Sequence, residues 1–410
     1  MTLSALLCPF LLALPAEDVV HTTRHYRLVV DGTPEEAEQA GVVLELAREQ
    51  LKKIFRAEPP RNRDGLPTVR FLQDRETWLA CIRACGVEPP AGADLVHYLP
   101  EQDIVFIHGG ESAYARRALL LHGATQQFHC KAKPKNRDLV RTWLTMGLAD
   151  HLSMHTWDGK VLTLGVLPTV CDDDIFGRAR DVLTAADFDP RALFVDGIAQ
   201  PEICMVLVRY LLDETKPSRR KKFTKLGLGY TGSKLHPETY ARMLGAPEKL
   251  SGELIEWIDD HQLTLQTLSG LWEDRGHGGL LADALGGARA RAQFKSTPVQ
   301  LSVALRPDES LGATPGLTFT EAATGNEWSL LLLPEELLVI GVLAEGRPYE
   351  RAIPHSTRDG RSVRIDLKRE GGELTILANR EEIERLELDI TSISLVVQGG
   401  SALFEGLHWR

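Results

Sequence analysis

Two stretches of this chain hold most of the residues whose types and spacing could do chemistry. His122-Gly123-Ala124-Thr125-Gln126-Gln127-Phe128 lies in one run that reads as a helix, and Trp143-Leu144-Thr145-Met146-Gly147-Leu148-Ala149-Asp150 lies in the next. On a helix, positions i and i+4 share a face, so His122 and Gln126 point the same way. Two imidazoles at that spacing can hold one Zn²⁺, and a Glu directly after the first can act as general base toward a zinc-bound water. This chain offers a single imidazole there, with Gly123 and Gln126 at the other positions. An amide oxygen is a poor zinc ligand. His129 is two turns from His122, about 10.5 Å along a helix rising 1.5 Å per residue, too far to share one ion. Asp150 lies one turn beyond Met146, and His151 and His155 follow at helical spacing, so a site built from His122, Asp150 and His151 is a second arrangement. Its structural counterpart is a set of ordinary surface or capping residues. Cys130 and His122 form no oriented nucleophile–base pair, because nothing in the sequence orients the base.

The elements that must position these side chains follow from periodicity. Tyr26 to Val30, Val69 to Leu72 and Ile104 to Ile107 read as strands. Pro34 to Phe55 reads as one amphipathic helix, with Pro34 at its first turn, Glu35 and Glu36 at its positive end and Lys52 and Lys53 at its negative end. Glu76 to Cys85 is a second helix, Tyr114 to Cys130 and Asp138 to His155 carry the residues above, and Pro201 to Leu212, Glu238 to Leu244 and Leu250 to His261 continue the helical pattern. Arg219-Arg220-Lys221-Lys222 reads as a solvated helix face. From about Leu265 the period changes to two: Val299, Leu301, Val303 and Leu305 alternate, as do Val363, Ile365 and Leu367, and turn clusters at Thr324-Gly325-Asn326, Asp359-Gly360, Gly371-Gly372 and Gly399-Gly400 separate the runs. Short strands with regular turns indicate a β-sandwich.

With 410 residues the chain has room for two or three domains. Its net charge of -10 argues against a nucleic-acid partner, which calls for a basic face. Leu3 to Leu14 is apolar but shorter than the roughly 20 residues that span a bilayer, and Leu14-Pro15-Ala16 precedes the polar Glu17. Residues 1–16 therefore read as a signal peptide, although without a basic n-region, and the mature protein is expected to be exported, periplasmic or extracellular, with no stable membrane span. Of the six cysteines, Cys8 falls in that segment and leaves an odd number, which describes no closed disulfide framework. Cys81 and Cys85 sit one turn apart without a second metal-ligand pair and read as small packed residues.

The two helical stretches resemble the peptidase MA-like, gluzincin-type family of exported bacterial proteins, whose members carry a His-Glu-Ala-Thr-His-Gln-Phe helix followed by a Trp-x-x-Glu-Gly-Leu-Ala-Glu helix. Carried over position by position, His122 matches the first zinc ligand. Gly123 stands at the general base, Gln126 at the second ligand and Met146 at the third. Ala124, Thr125, Gln127, Phe128, Trp143, Gly147, Leu148 and Ala149 match the surrounding pattern. The resemblance covers His25 to His261. It implies an α+β fold: a gluzincin-like lobe of mixed sheet (17–110) plus a helical part (111–264). It also implies a degenerate zinc site with no metal or cofactor. Loss of a general base alone costs roughly 10²–10⁴ in rate, and loss of the ligands removes the activated water as well. The expectation is a non-catalytic, peptidase-like exported protein that binds a peptide or a cell-envelope component.

Leu265 to Arg410 resembles a concanavalin- or laminin-G-like jelly-roll sandwich, on Ser269-Gly270-Leu271-Trp272-Glu273, Gly316-Leu317-Thr318-Phe319, Leu374-Thr375-Ile376 and Ser401-Ala402-Leu403-Phe404 with Leu407 and Trp409. Such domains often bind carbohydrate through exposed aromatics, which makes Trp272, Trp328, Tyr349 and Trp409 candidates for contact with a polysaccharide. The competing reading places each in the core. Two further functions thus stand beside the first: an active hydrolase with its site moved to His122, Asp150 and His151, and a carbohydrate-binding protein acting through the sandwich.

Overall fold

A computed structural model describes residues 18–60, 65–88, 95–110, 112–132, 142–171, 174–195, 201–212, 217–225, 236–261, 264–276, 278–284, 289–308, 312–343, 346–354 and 362–410. The signal-peptide reading of residues 1–16 and the Asp359-Gly360 turn lie outside them. The chain is α+β and divides into two units: one holds 1–155, 162–166 and 178–260, the other 156–161, 167–177 and 261–410. The first joins the two predicted parts 17–110 and 111–264 into one body. The second is the sandwich, which recruits two short pieces from upstream of the predicted 265–410 boundary.

The first unit is built on a five-stranded sheet of β1 (Asp18–Thr22), β2 (Arg27–Asp31), β3 (Thr68–Leu72), β4 (Val96–Leu99) and β5 (Ile104–His108), in the order β1-β2-β3-β5-β4. β2, β3 and β5 run parallel, while β1 and β4 pair antiparallel at the two edges. Helix α1 (Pro34–Phe55) begins on a complete capping box between Thr33 and Glu36 and ends at Arg56 in the left-handed region, φ 48°. It coincides with the predicted helix because cap, proline and charge signals all agree. α2 (Arg75–Ala84) is capped by Asp74. α3 (Ala113–Ala132) and α4 (Trp143–Ser153) carry the candidate residues. Short strands β6 (His155–Trp157), β7 (Leu162–Leu164) and β8 (Val170–Cys171) follow, and then α5 (Ile175–Thr184), α6 (Pro201–Leu212), α7 (Pro217–Phe223), α8 (Pro237–Leu244) and α9 (Pro247–Asp260). α6 is buried from Ile203 to Val208, which makes it the apolar pillar of the helical part. The basic run lies on α7, where Arg219 is held by Glu253 at 2.6 Å.

The second unit holds two sheets. The seven-stranded sheet contains β10 (Leu271–Gly276), β11 (Gly279–Asp283), β13 (Gln300–Pro307), β18 (Val363–Glu370), β19 (Glu373–Ala378), β20 (Glu381–Leu386) and β22 (Ser401–Trp409), ordered β10-β11-β22-β13-β18-β19-β20. The eight-stranded sheet contains β8, β9 (Leu265–Ser269), β12 (Arg289–Phe294), β14 (Thr314–Glu321), β15 (Glu327–Leu332), β16 (Glu336–Val342), β17 (Pro348–Pro354) and β21 (Ile390–Gln398), ordered β17-β16-β15-β14-β21-β12-β9-β8. Residues of both sheets share one apolar core, including Leu301, Val303 and Phe404 from one and Leu317, Phe319 and Leu395 from the other. This is the β-sandwich that the period-two pattern indicates, in the jelly-roll form that the resemblance implies. β8 joins it by pairing parallel with β9, and Asp274 Oδ2 accepts the Thr169 N–H at 2.6 Å beside that junction. Along its free flank, Glu384 on β20 accepts Tyr349 Oη–H and an Arg351 N–H from β17, each at 2.7 Å, tying the edges of the two sheets together.

Candidate functional site

The helical unit does bring the four chemically suggestive side chains together. Gln126 Nε2 lies 2.9 Å from His122 Nε2 and 3.1 Å from Met146 Sδ, and Asp150 Oδ1 lies 2.8 Å from His122 Nδ1. The chemistry of the neighbours fixes the roles. The amide nitrogen donates one proton to the ring and one to the thioether, and the other ring nitrogen faces the Asp150 carboxylate. The two nitrogens of His122 are thereby both engaged inside the fold. Among the described residues, no group of three or more His, Cys, Asp and Glu side chains lies together where it could hold a metal ion.

Gly123 does not face this cluster. A Cβ on it would stand 2.4 Å from Val105 Cγ1 and 3.2 Å from Val96 Cγ1, so the position serves close approach of α3 to β4 and β5. Gly147 has the matching role on the other side, where a Cβ would meet Cys204 O of α6 at 2.3 Å. Ala124, Phe128, Trp143, Leu148 and Ala149 are buried with them. The pattern that resembles a peptidase is therefore the pattern that packing α3 between a sheet and α4, and α4 against α6, requires by itself.

His151 does not join His122 and Asp150. Its ring lies beside Gly165, and burial, with the charge of Arg209 adding, pushes its pKa down to about 3. His155 is stacked on Tyr114 at 4.5 Å, donates from Nδ1 to Ser153 O at 2.8 Å, and is held neutral by burial down to about 4. His129 packs against Phe55, with Nδ1 3.1 Å from Thr145 Oγ1. Burial pushes the Cys130 thiol up to about 12, so it carries no thiolate at neutral pH.

In the sandwich, three of the four candidate aromatics are committed to packing. Trp272 is 5% exposed, donates its indole N–H to Ser269 O and packs on Phe404. Trp328 is 3% exposed beneath Tyr349, whose hydroxyl is spent on Glu384. Trp409 is 40% exposed, at the strand end, with one flank against Phe294.

The outer face of the seven-stranded sheet carries a cleft of about 800 Å³ over β10, β11, β22 and β13. Ligand pockets usually span roughly 300–1,000 Å³. Register explains its floor: Glu273 pairs with Leu281, Leu281 with Leu403 and Leu403 with Arg306. At about 4.8 Å between strands, that row sets two leucines side by side between an acid and a base over roughly 14 Å. Arg275, Arg306, Asp158, Asp308 and Glu405 line the walls, one negative charge in excess. Gly276 and Gly406, at φ 77° and 60°, turn the chain at one end and leave bare backbone there. Arg275 is held by Glu273 at 3.0 Å, whereas Arg306 reaches Glu405 only at 3.5 Å with both side chains well exposed. Sequence reasoning missed these residues. Glu273 and Arg275 alternate with buried Trp272 and Asp274, and Leu403 and Glu405 with buried Ala402 and Phe404, so period two already put them on the outer face. The strand order that gathers them was not in the pattern.

Fold and site together define an α+β protein ending in a jelly-roll sandwich with an open, polar-walled cleft on one sheet. No protein-family model matches the chain, and no curated protein matches it. Among solved structures it is similar to a carbohydrate-binding module, CBM66 from Bacillus subtilis (12% identity, 35% of this chain and 93% of that one, TM-score 0.29). It is also similar to a β-1,3-1,4-glucanase (lichenase) derived from a mouse hindgut metagenome (11%, 33% and 80%, 0.27) and to a Bacillus licheniformis β-glucanase (7%, 35% and 89%, 0.29). These findings correct the peptidase MA-like, gluzincin-type assignment. The similar structures are carbohydrate-binding modules and glycoside hydrolases, and no family model or curated protein supports a peptidase.

Proposed function

We propose that this protein binds a carbohydrate chain in the cleft on the seven-stranded sheet of its sandwich. The observation that carries the reading is the cleft itself: an apolar floor of Leu281 and Leu403 walled by Arg275, Arg306, Asp158 and Glu405. A sugar offers the same two surfaces, C–H faces that pack on apolar side chains and hydroxyls that both donate and accept. Planar charged groups satisfy such hydroxyls well, since guanidinium only donates and carboxylate only accepts. The proposal is one of binding, without a reaction. Export belongs to it, because such ligands lie outside the cytoplasm; N-terminal sequencing of the mature protein should begin at Glu17, and a retained Met1 would reject that part.

The test is calorimetric titration of the full chain with soluble oligosaccharides, beside a Leu403→Arg variant that fills the floor with a charged chain. Binding should weaken at least about tenfold in the variant, about 1.4 kcal/mol. Equal affinity of the two proteins, or no binding by the wild type, would reject the site.

A further inference from the structure

We propose that the cleft selects neutral glycans and that Arg306 and Glu405 grip two neighbouring hydroxyls of one sugar ring. The inference rests on the carbohydrate reading above and adds the class of glycan and the residues that set it. Three observations carry it. First, the side chain beside the Arg306 guanidinium is the Glu405 carboxylate, so a uronic acid that reaches this arginine brings its own carboxylate against like charge. Second, the two arginines are not equivalent. Arg275 is tied at 3.0 Å to Glu273, whose side chain is only 14% exposed, and stands as a fixed wall. Arg306 and Glu405 are 52% and 40% exposed and meet at 3.5 Å, a geometry in which water screens an ion pair and it contributes little. A ligand can displace that pair at little cost. Third, the pair offers donors on one side and acceptors on the other, on adjacent strands and bordering the leucine floor: Arg306 lies beside Leu403 in register, and Glu405 stands two residues along the same strand and face. Neighbouring ring hydroxyls are about one hydrogen-bond length apart. One can accept from the guanidinium while the other donates to the carboxylate, and the ring's C–H face rests on Leu281 and Leu403. A carboxylate ligand can use only the guanidinium and must face Glu405.

The experiment is calorimetric titration of the full chain, wild type, Arg306→Gln and Glu405→Gln, with neutral hexose oligosaccharides and with oligogalacturonates, in low and high salt. Thermal unfolding confirms that the exposed substitutions leave the fold intact. The expected result is binding of the neutral panel, weakened about tenfold by each substitution, with affinity nearly unchanged between about 50 and 500 mM NaCl. The sign of the Glu405→Gln effect is decisive. If oligogalacturonates bind, Glu405→Gln strengthens them and salt weakens them, the selectivity is wrong while carbohydrate binding stands. Neutral binding indifferent to both substitutions removes the grip. If neither panel binds, the carbohydrate reading itself falls.

Discussion

Adding one methyl group at Gly147 tests whether the helical unit is organised by packing. An ideal Cβ there would sit 2.3 Å from Cys204 O, 2.7 Å from Cys204 C and 2.7 Å from Val208 Cγ2, whereas ordinary contact begins near 3.4 Å. The obstacle is mostly backbone of α6, a helix buried from Ile203 to Val208, so it cannot turn aside as a side-chain tip would. α4 and α6 must separate by roughly 1 Å, and overpacking of that kind costs about 1–3 kcal/mol. Alanine returns up to about 1 kcal/mol of helix propensity, which leaves Gly147→Ala about 2 kcal/mol less stable than wild type at the tight end of that range. Gly252 in α9 is the internal control: nothing lies within 4 Å of its built Cβ, so Gly252→Ala gains up to about 1 kcal/mol from the same propensity term with no clash. Urea unfolding followed by far-ultraviolet circular dichroism reads both variants. With a slope of about 2 kcal/mol per molar, the two midpoints should move apart by roughly 1–1.5 M in opposite directions, the slope unchanged. A Gly147→Ala protein as stable as wild type would refute the claim that close helix contact explains the glycine.

Two further outcomes follow from buried polar groups. His151 is neutral in the fold, with its pKa held down to about 3, so the unfolded chain binds the extra proton between about pH 6.5 and 3. Stability should be complete above that window and fall with acidification through it, with His151 adding up to about 1.4 kcal/mol per pH unit. His151→Leu should flatten the curve measured by urea titration at pH 7, 6 and 5, and an unchanged slope would contradict the assignment. Glu384 ties Tyr349 and Arg351 across the sandwich flank, and Glu384→Ala should lower stability by about 1–2 kcal/mol, less than a fully buried pair because Arg351 is half exposed. Thermal unfolding that leaves the midpoint in place would show that the latch contributes nothing.

What could be read from sequence was whatever local signals determine. α1 is legible because cap, proline, terminal charges and apolar stripe all name the same ends. The hairpins at Gly371-Gly372 and Gly399-Gly400 are legible because left-handed glycines, at φ 60°, 81°, 62° and 109°, must sit where the chain reverses. β4 was not legible: Val96–Leu99 is only four residues long, and pairing with β5 is what makes it a strand. β8 has two residues and exists through its parallel pairing with β9. The candidate cluster shows the same divide. The resemblance grouped His122, Gly123, Gln126 and Met146, and a second reading joined His122 with Asp150 and His151; the fold joins His122, Gln126, Met146 and Asp150, while the missing side chain of Gly123 faces Val105 and His151 lies beside Gly165. Helical periodicity says which residues share a stripe, and only the neighbouring element decides what each stripe meets.

That divide also decides where function should be sought. A side chain kept for chemistry needs a free donor, acceptor or lone pair where a ligand can reach it, and a side chain kept for structure has already been matched. His122 has Asp150 on one nitrogen and Gln126 on the other, and Gln126 spends its second proton on Met146. These bonds form a part-buried network in which Asp150 Oδ2 alone lacks a hydrogen-bond partner among the described residues, and opening it would leave further polar groups unmatched, each at about 1–3 kcal/mol where buried. Arg306 and Glu405 present the opposite arrangement. They stand half in water, their mutual pair is long, and the floor between them and Leu281 is apolar and uncovered. Exchanging that pair for sugar hydroxyls replaces one loose interaction with two directed ones and removes water from two leucines. By that accounting the helical cluster belongs to the fold, and the sheet cleft is where binding free energy can be gained.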